Sequence, residues 1–266
     1  MMQVVVRGIG LLGPGLPDWA QGRLALRDPS GWQHSPTVVP APNRLPPTER
    51  RRAGAVVKAS IVVADQAIAA AGADPAELAT VFSSSTGDPT NCHQLCEALA
   101  TPERLVSPTK FTNSVHNAAA GYWHIATKSM QASTSLSAYD ASFGAGLLEA
   151  MSQCLSSGRP VLLVSCDVPY PEPLHSVRPV SDSFGIALLL APCGDGPRIE
   201  LTLVPDSQPT PCGQAGLEAL RNSIPAARSL PLLQALAQQR PASMLLEGMP
   251  GMALRIEVVG HSVGAA

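Results

Sequence analysis

Two uninterrupted apolar runs constrain this chain more than any other feature: residues 159–166 (RPVLLVSC) and 184–191 (FGIALLLA). A strand wet on one face alternates apolar and polar side chains, so runs without alternation have to be covered on both faces. Central strands with helices on either side place the chain in the α/β class. Its other segments fit that order. Residues 2–8 form a short apolar run ended by glycines, which suits a buried strand; residues 78–83, 133–139, 198–205 and 253–259 read as further strands. Residues 47–72 carry apolar side chains at Val56, Ala59, Val63, Ala67 and Ala70, the spacing of a helix with one buried face. Shorter helices are expected at 90–100, 114–129 and 231–239. Residues 142–157 are apolar on nearly every side, and such a helix must be buried on most faces. The prolines cluster at 12–47, 169–179 and 205–211, which marks loops. No repeat or domain boundary is visible, so a single domain over 1–266 is expected.

Charge removes several classes of function. The 18 Lys+Arg and 20 Asp+Glu leave a net charge of −2 with no basic tail, which speaks against nonspecific binding to nucleic acid or an anionic membrane. No apolar run approaches the roughly 20 residues of a membrane span. The start MMQVVVRGIG lacks the pattern of a signal peptide, and Cys92, Cys96, Cys154, Cys166, Cys193 and Cys212 follow no disulfide framework; a cytoplasmic chain with reduced thiols is expected. Cys92, His93 and Cys96 form a single Cys-x3-Cys without a second pair, short of the four ligands of structural zinc, so neither metal nor cofactor is expected.

The most informative stretch is 111–167. A strand at 133–139 runs into a tight turn at Asp140-Ala141, and a buried helix begins at Ser142, the arrangement of a nucleophile elbow. Free N–H groups and the helix dipole at such a turn would lower the pKa of a thiol. Here the turn residue is Asp140. Its plain structural reading is a helix cap that stabilises by ~1 kcal/mol. Ser142 has no identifiable base and reads as a second cap. For His116 and His124, which flank the Ala-rich helix, a core or interface position is the default. Tyr122 and Trp123 suit the centre of an interface, and core packing nearly as well.

These residues resemble the N-terminal half of the β-ketoacyl synthases of the thiolase superfamily. VVVRGIGLLGP is similar to their first strand, AVVKASIVVADQAIAAAGAD to their first long helix, and NAAAGYWHIATKSMQASTSLSAYDASFGAGLLEA to the run through the active-site cysteine into the central helix. RPVLLVSCD resembles the strand that follows. The resemblance implies a thiolase-like half fold: a mixed sheet with a buried central helix and covering helices, best matched over 1–192, with a shortened, divergent part over 193–266.

Two departures from the family bear on function. The family's cysteine falls on Asp140, and the nearest thiol, Cys154, lies three turns down the helix. A carboxylate cannot carry an acyl chain as a thioester. The family's two catalytic histidines lie in HGTGT-like and NSFGFGG-like contexts of its second half; after Pro205 the one histidine is His261, in VVGHSVGAA, which matches neither. The sequence is therefore most similar to the chain-length factors, non-catalytic subunits that pair with an active synthase, and to the short ones of aryl polyene and xanthomonadin-type pigment biosynthesis.

That resemblance implies a heterodimer with a full-length β-ketoacyl synthase in fatty acid or polyketide-type biosynthesis, with the acyl carrier protein met through the complex. It implies that 110–115 reaches the far end of the partner's tunnel, and gives as tunnel or interface residues Lys110, Phe111, Ser114, Val115, His116, Asn117, Tyr122, Trp123, Ser142 and Phe143. Half of a two-half fold is also expected to leave a large apolar patch when unpaired. Two alternatives stay open: an independent acyl-transfer or decarboxylating enzyme using Ser142 or His116, and an acyl-binding homodimeric scaffold.

Overall fold

The computed structural model describes residues 1–259. Its strands are β1 (Met2–Leu12), β2 (Ala79–Ser83), β3 (Ser133–Leu136), β4 (Val161–Asp167), β5 (Phe184–Ala191), β6 (Arg198–Pro205), β7 (Ala242–Glu247) and β8 (Met252–Val259). They form one mixed sheet in the order β3-β2-β4-β5-β1-β6-β8-β7, with β2 parallel to both β3 and β4 and the remaining pairs antiparallel. The helices are α1 (Trp19–Arg27), α2 (Pro47–Arg52), α3 (Ala55–Ala71), α4 (Pro89–Ala100), α5 (Pro108–Thr112), α6 (Ala118–Thr127), α7 (Ser142–Ser157), α8 (Leu174–Val177), α9 (Ala215–Ser223) and α10 (Leu230–Gln238).

The apolar runs occupy the centre of this sheet for the expected reason. In β4, Leu162 and Val164 enter a core shared with Ile61 and Ala64 of α3, while Val161 and Leu163 enter a second core shared with Leu147 and Met151 of α7. Both faces of the strand are buried, so residues 161–164 are apolar in both registers, and the polar side chains Ser165 and Asp167 come only at its end. The same second core holds Leu188 of β5, Ile199 and Leu201 of β6, Leu233 of α10 and Ile256 of β8. Strands β6, β8 and β7 thus extend the sheet past β1, and the stretch after residue 193 completes the core that covers α7.

Several boundaries differ from the sequence expectation. β1 does not stop at Gly8 but continues to Leu12. A Cβ on Gly8 would lie 2.0 Å from the Ala67 carbonyl oxygen and one on Gly10 1.9 Å from that of Val63; these glycines serve close packing of α3 on the strand. The helix expected over 47–72 is two helices, α2 and α3, broken at Ala53-Gly54, where a Cβ on Gly54 would collide with the Asp88 carboxylate. The expected helix 114–129 is shorter, Ala118–Thr127, and follows the separate turn α5. The strand expected over 133–139 ends at Leu136. α7 buries Phe143, Leu147, Ala150, Met151 and Cys154, yet Ala145, Leu148 and Glu149 form a half-buried stripe, so it is less enclosed than its composition suggests. α9 and β7 had no expectation.

The two sheet edges are treated differently. Beside β7, the Thr210 N–H donates to the Leu245 carbonyl and the Leu245 N–H to the Thr210 hydroxyl, each at 2.9 Å, so a loop covers that edge. Among the described residues β3 pairs with β2 alone. No helix among the described residues is long and apolar enough to cross a membrane.

Candidate functional site

The turn between β3 and α7 is where the sequence places an elbow, and its strained residue is Tyr139, not Asp140. Tyr139 has φ 54° in the left-handed region and opens the single 3-10 turn Tyr139–Ala141 that leads into α7. A bulky residue held there costs on the order of 1–3 kcal/mol. Asp140, where the resemblance places the family's cysteine, is the second residue of that turn. Ser142 closes the turn: its hydroxyl donates to the Tyr139 carbonyl at 2.7 Å and accepts from the Ala138 N–H at 3.0 Å.

Asp140 is also not the expected helix cap. Its carboxylate receives Arg178 Nη2 at 2.8 Å and lies 3.2 Å from Arg228 Nη2, and α7 begins without a side-chain cap. The Arg178 guanidinium lies 3.6 Å over the Tyr139 ring, an attraction worth about 0.5–2 kcal/mol, and donates through Nε to the Tyr170 hydroxyl at 3.2 Å. Tyr170 meets the Ser85 hydroxyl at 3.2 Å, which donates to the buried Asp167 carboxylate at 2.7 Å. Burial pushes the Asp167 pKa up, with the Ser85 hydrogen bonds opposing it. On the other side Arg228 Nη1 is 2.5 Å from Glu247, which also pairs with Arg221, itself bound to Glu218. The Arg221 hydrogen bond leads the causes that hold the Glu218 carboxyl down at about 2. Tyr139, Arg178, Arg228 and Glu247 were missed in the sequence: Tyr139 stands one place from the expected residue, and the others come from a loop, a 3-10 turn and the end of β7, remote in sequence and without a motif.

The other expected residues fall into two groups. Phe111 is 69% and Val115 51% exposed, Ser114 and Asn117 are exposed, and Lys110 is half-buried with its carbonyl accepting from Asn91 at 2.8 Å. His116 is exposed and meets the Ser84 hydroxyl at 3.3 Å. Tyr122 and Trp123 are buried in the core beneath α3, with the Tyr122 hydroxyl donating to Asn113 at 3.1 Å, so they are core rather than surface residues. Phe143 is likewise core. His124 bonds the Ser129 carbonyl at 2.8 Å. Cys154 is buried in the core, and burial pushes its thiol up to about 11, far from a nucleophile. Cys92 and Cys96 are exposed, and no metal-ligating cluster is found among the described residues. His261 lies outside the described residues.

Residues 25–246 match the β-ketoacyl synthase N-terminal domain. The chain belongs to that family. No curated protein matches the sequence significantly. Among solved structures it is similar to a chain of the ketosynthase ApeO in complex with its chain length factor ApeC from Xenorhabdus doucetiae, with TM-score 0.74 and 21% identity over 97% of this chain and 100% of that one. It is similar also to a chain of the ishigamide ketosynthase/chain length factor, TM-score 0.73 and 14% identity over 98% and 100%. A third is AntDE:AntF, a type II polyketide acyl carrier protein in complex with its ketosynthase, TM-score 0.72 and 12% identity over 98% and 99%. At these identities the likeness is one of fold: a thiolase-like mixed sheet with a central helix behind the elbow.

Proposed function

We propose that this chain is a chain-length-factor-like subunit that pairs with an active β-ketoacyl synthase and does no acyl chemistry of its own. The observation that carries the reading is the turn: neither its strained residue, Tyr139, nor Asp140 beside it offers the thiol that holds an acyl chain as a thioester. A tyrosyl ester would in any case replace the labile thioester that condensation needs. The reading that Ser142 acts as nucleophile meets a hydroxyl that is fully buried and committed in both directions. His116, the other candidate, bonds Ser84.

The surface supports a partner on the β3 side. Around that open edge stand Met130, 95% exposed, and Ile125, 51% exposed, and an edge strand with unpaired N–H and C=O groups is a template for pairing. The similar solved structures are ketosynthase complexes with a chain length factor or an acyl carrier protein. The exposed segment Lys110, Phe111, Ser114 and Val115 then serves as the wall that ends the partner's acyl tunnel. The reading is tested by co-expressing the chain with a full-length synthase and supplying radiolabelled malonyl and acyl carrier protein. A stable heterodimer in which label resides on the synthase is expected. Decarboxylation or covalent labelling by this chain alone overturns the non-catalytic role, and failure to co-purify overturns the pairing.

A further inference from the structure

We propose that Cys92 and Cys96, side by side on the exposed face of α4, hold one two-coordinate thiophilic cation of the d10 class, Cu(I), as a bis-thiolate. The inference concerns metal binding alone and does not depend on the pairing with a synthase.

The placement comes from how α4 is fastened. Pro89, Asn91 and Leu95 are its buried residues, Asp88 caps its first turn by accepting from the Asn91 N–H at 2.9 Å, and the Asn91 side chain donates to the Lys110 carbonyl at 2.8 Å. Each cysteine follows a buried residue by one position, so both leave the helix about 100° from the buried stripe, and both are exposed. One turn apart, they are neighbours along the surface. They also sense each other: burial is the first cause that pushes the Cys92 thiol up, and Cys96 is the next.

The spacing selects the chemistry. Cβ atoms at i and i+4 of a helix stand about 5–6 Å apart, whereas a disulfide needs about 3.5–4.5 Å, so an intact α4 keeps the two sulfurs from oxidising to each other. A bridging cation asks instead for two metal–sulfur bonds of about 2.3 Å each, a span that two thiols one turn apart can supply. Soft thiolates select soft ions. Among the described residues no third His, Cys, Asp or Glu completes a ligand set with them, and His93, the one imidazole on the helix, is turned to Glu97 at 3.3 Å. Structural zinc, which takes four ligands, is not served here; a d10 ion satisfied by two sulfurs is. On binding, two S–H bonds break, two S–Cu bonds form and both protons leave to solvent. The copper stays Cu(I), so the step needs no oxidant or reductant.

The full chain, reduced and kept free of oxygen, is titrated with Cu(I) in competition with the chelator bicinchoninate. Wild type and Cys193→Ser, which lacks the other exposed thiol, are expected to retain one Cu(I) per chain, with two sulfur neighbours in X-ray absorption. Cys92→Ser and Cys96→Ser should each weaken retention at least tenfold with unchanged circular dichroism, since both side chains are exposed. Cys96→Ser/Glu97→Cys keeps two thiols on α4 but moves one off the shared face, and should bind no better than Cys92→Ser. Wild type that yields its copper to the chelator overturns the site, and so does a Cys92→Ser/Cys96→Ser chain that retains as much as wild type. A moved thiol that binds as tightly as the native one, or copper shared between two chains, overturns a site built on one helical turn.

Discussion

Arg228 stands between Asp140 and Glu247, 3.2 Å from the first carboxylate and 2.5 Å from the second. One guanidinium thus ties the turn in front of α7 to the last residue of β7. Asp140 on its own joins Arg178 to Arg228, two cations whose side chains are 18% and 17% exposed. Removing the carboxylate leaves Arg178 with the Tyr170 hydroxyl and Arg228 with Glu247, each short of one charged acceptor, and an unmet group of this kind costs about 1–3 kcal/mol, less where water reaches it. Asp140→Ala should therefore lower the urea midpoint by the equivalent of about 1–2 kcal/mol, with Asp140→Asn milder. The activity of the synthase complex should stay within a few-fold. A loss of several orders of magnitude in turnover with the complex intact would assign Asp140 a part in catalysis.

Phe111 bears directly on product length. At 69% exposure it contributes little to this subunit's own core, so Phe111→Ala should change stability by no more than about 0.5 kcal/mol. If the segment walls the partner's tunnel, the smaller side chain shifts carrier-bound products toward longer chains, and Val115→Trp shifts them toward shorter ones. Mass spectrometry of those products reads the result. An unchanged length distribution would remove Phe111 from the tunnel.

The open edge of β3 predicts how pairing can be broken. The Ala132 and Leu136 carbonyls accept from β2 and its flank, which turns the backbone of Ser133 and Ser135 outward. Proline is tolerated on an edge strand whose N–H faces solvent. Ser135→Pro should leave the isolated chain folded yet weaken co-purification with the synthase at least tenfold. Equal recovery of the heterodimer would mean that the partner docks elsewhere.

Acid stability should carry the mark of Glu218. Its folded pKa is lowered from 4.5 to about 2, so the stability it contributes is full above its unfolded pKa and is lost as pH falls from about 4.5 toward 2. Asp167 works in the opposite sense, because burial raises its folded pKa and protonation favours the native state. Glu218→Gln should be less stable than wild type at neutral pH and show a flatter fall in melting temperature below pH 4.5. Parallel curves for the two proteins would contradict the Arg221–Glu218 pairing.

What the sequence determined by itself was set by local chemistry. Continuous apolar runs can only be strands dry on both faces, so the two halves of the core on either side of β4 and β5 were legible, as was the helix starting at Ser142. Helix and strand ends were less so, because Gly8 and Gly10 look like breakers in the chain and become contact points only once α3 lies against them. The elbow was legible as a region but its strained residue was not, since φ at Tyr139 depends on how Ser142 closes the turn. Only the tertiary structure decided what surrounds that turn. Arg178, Arg228 and Glu247 come from a proline-rich loop, a 3-10 turn and a late strand, and charges so far apart in sequence acquire a partner only when the sheet brings their elements together. Likewise the burial of Trp123 in the core shared with α3 and the exposure of Phe111 were decided by packing, which residue type alone does not carry.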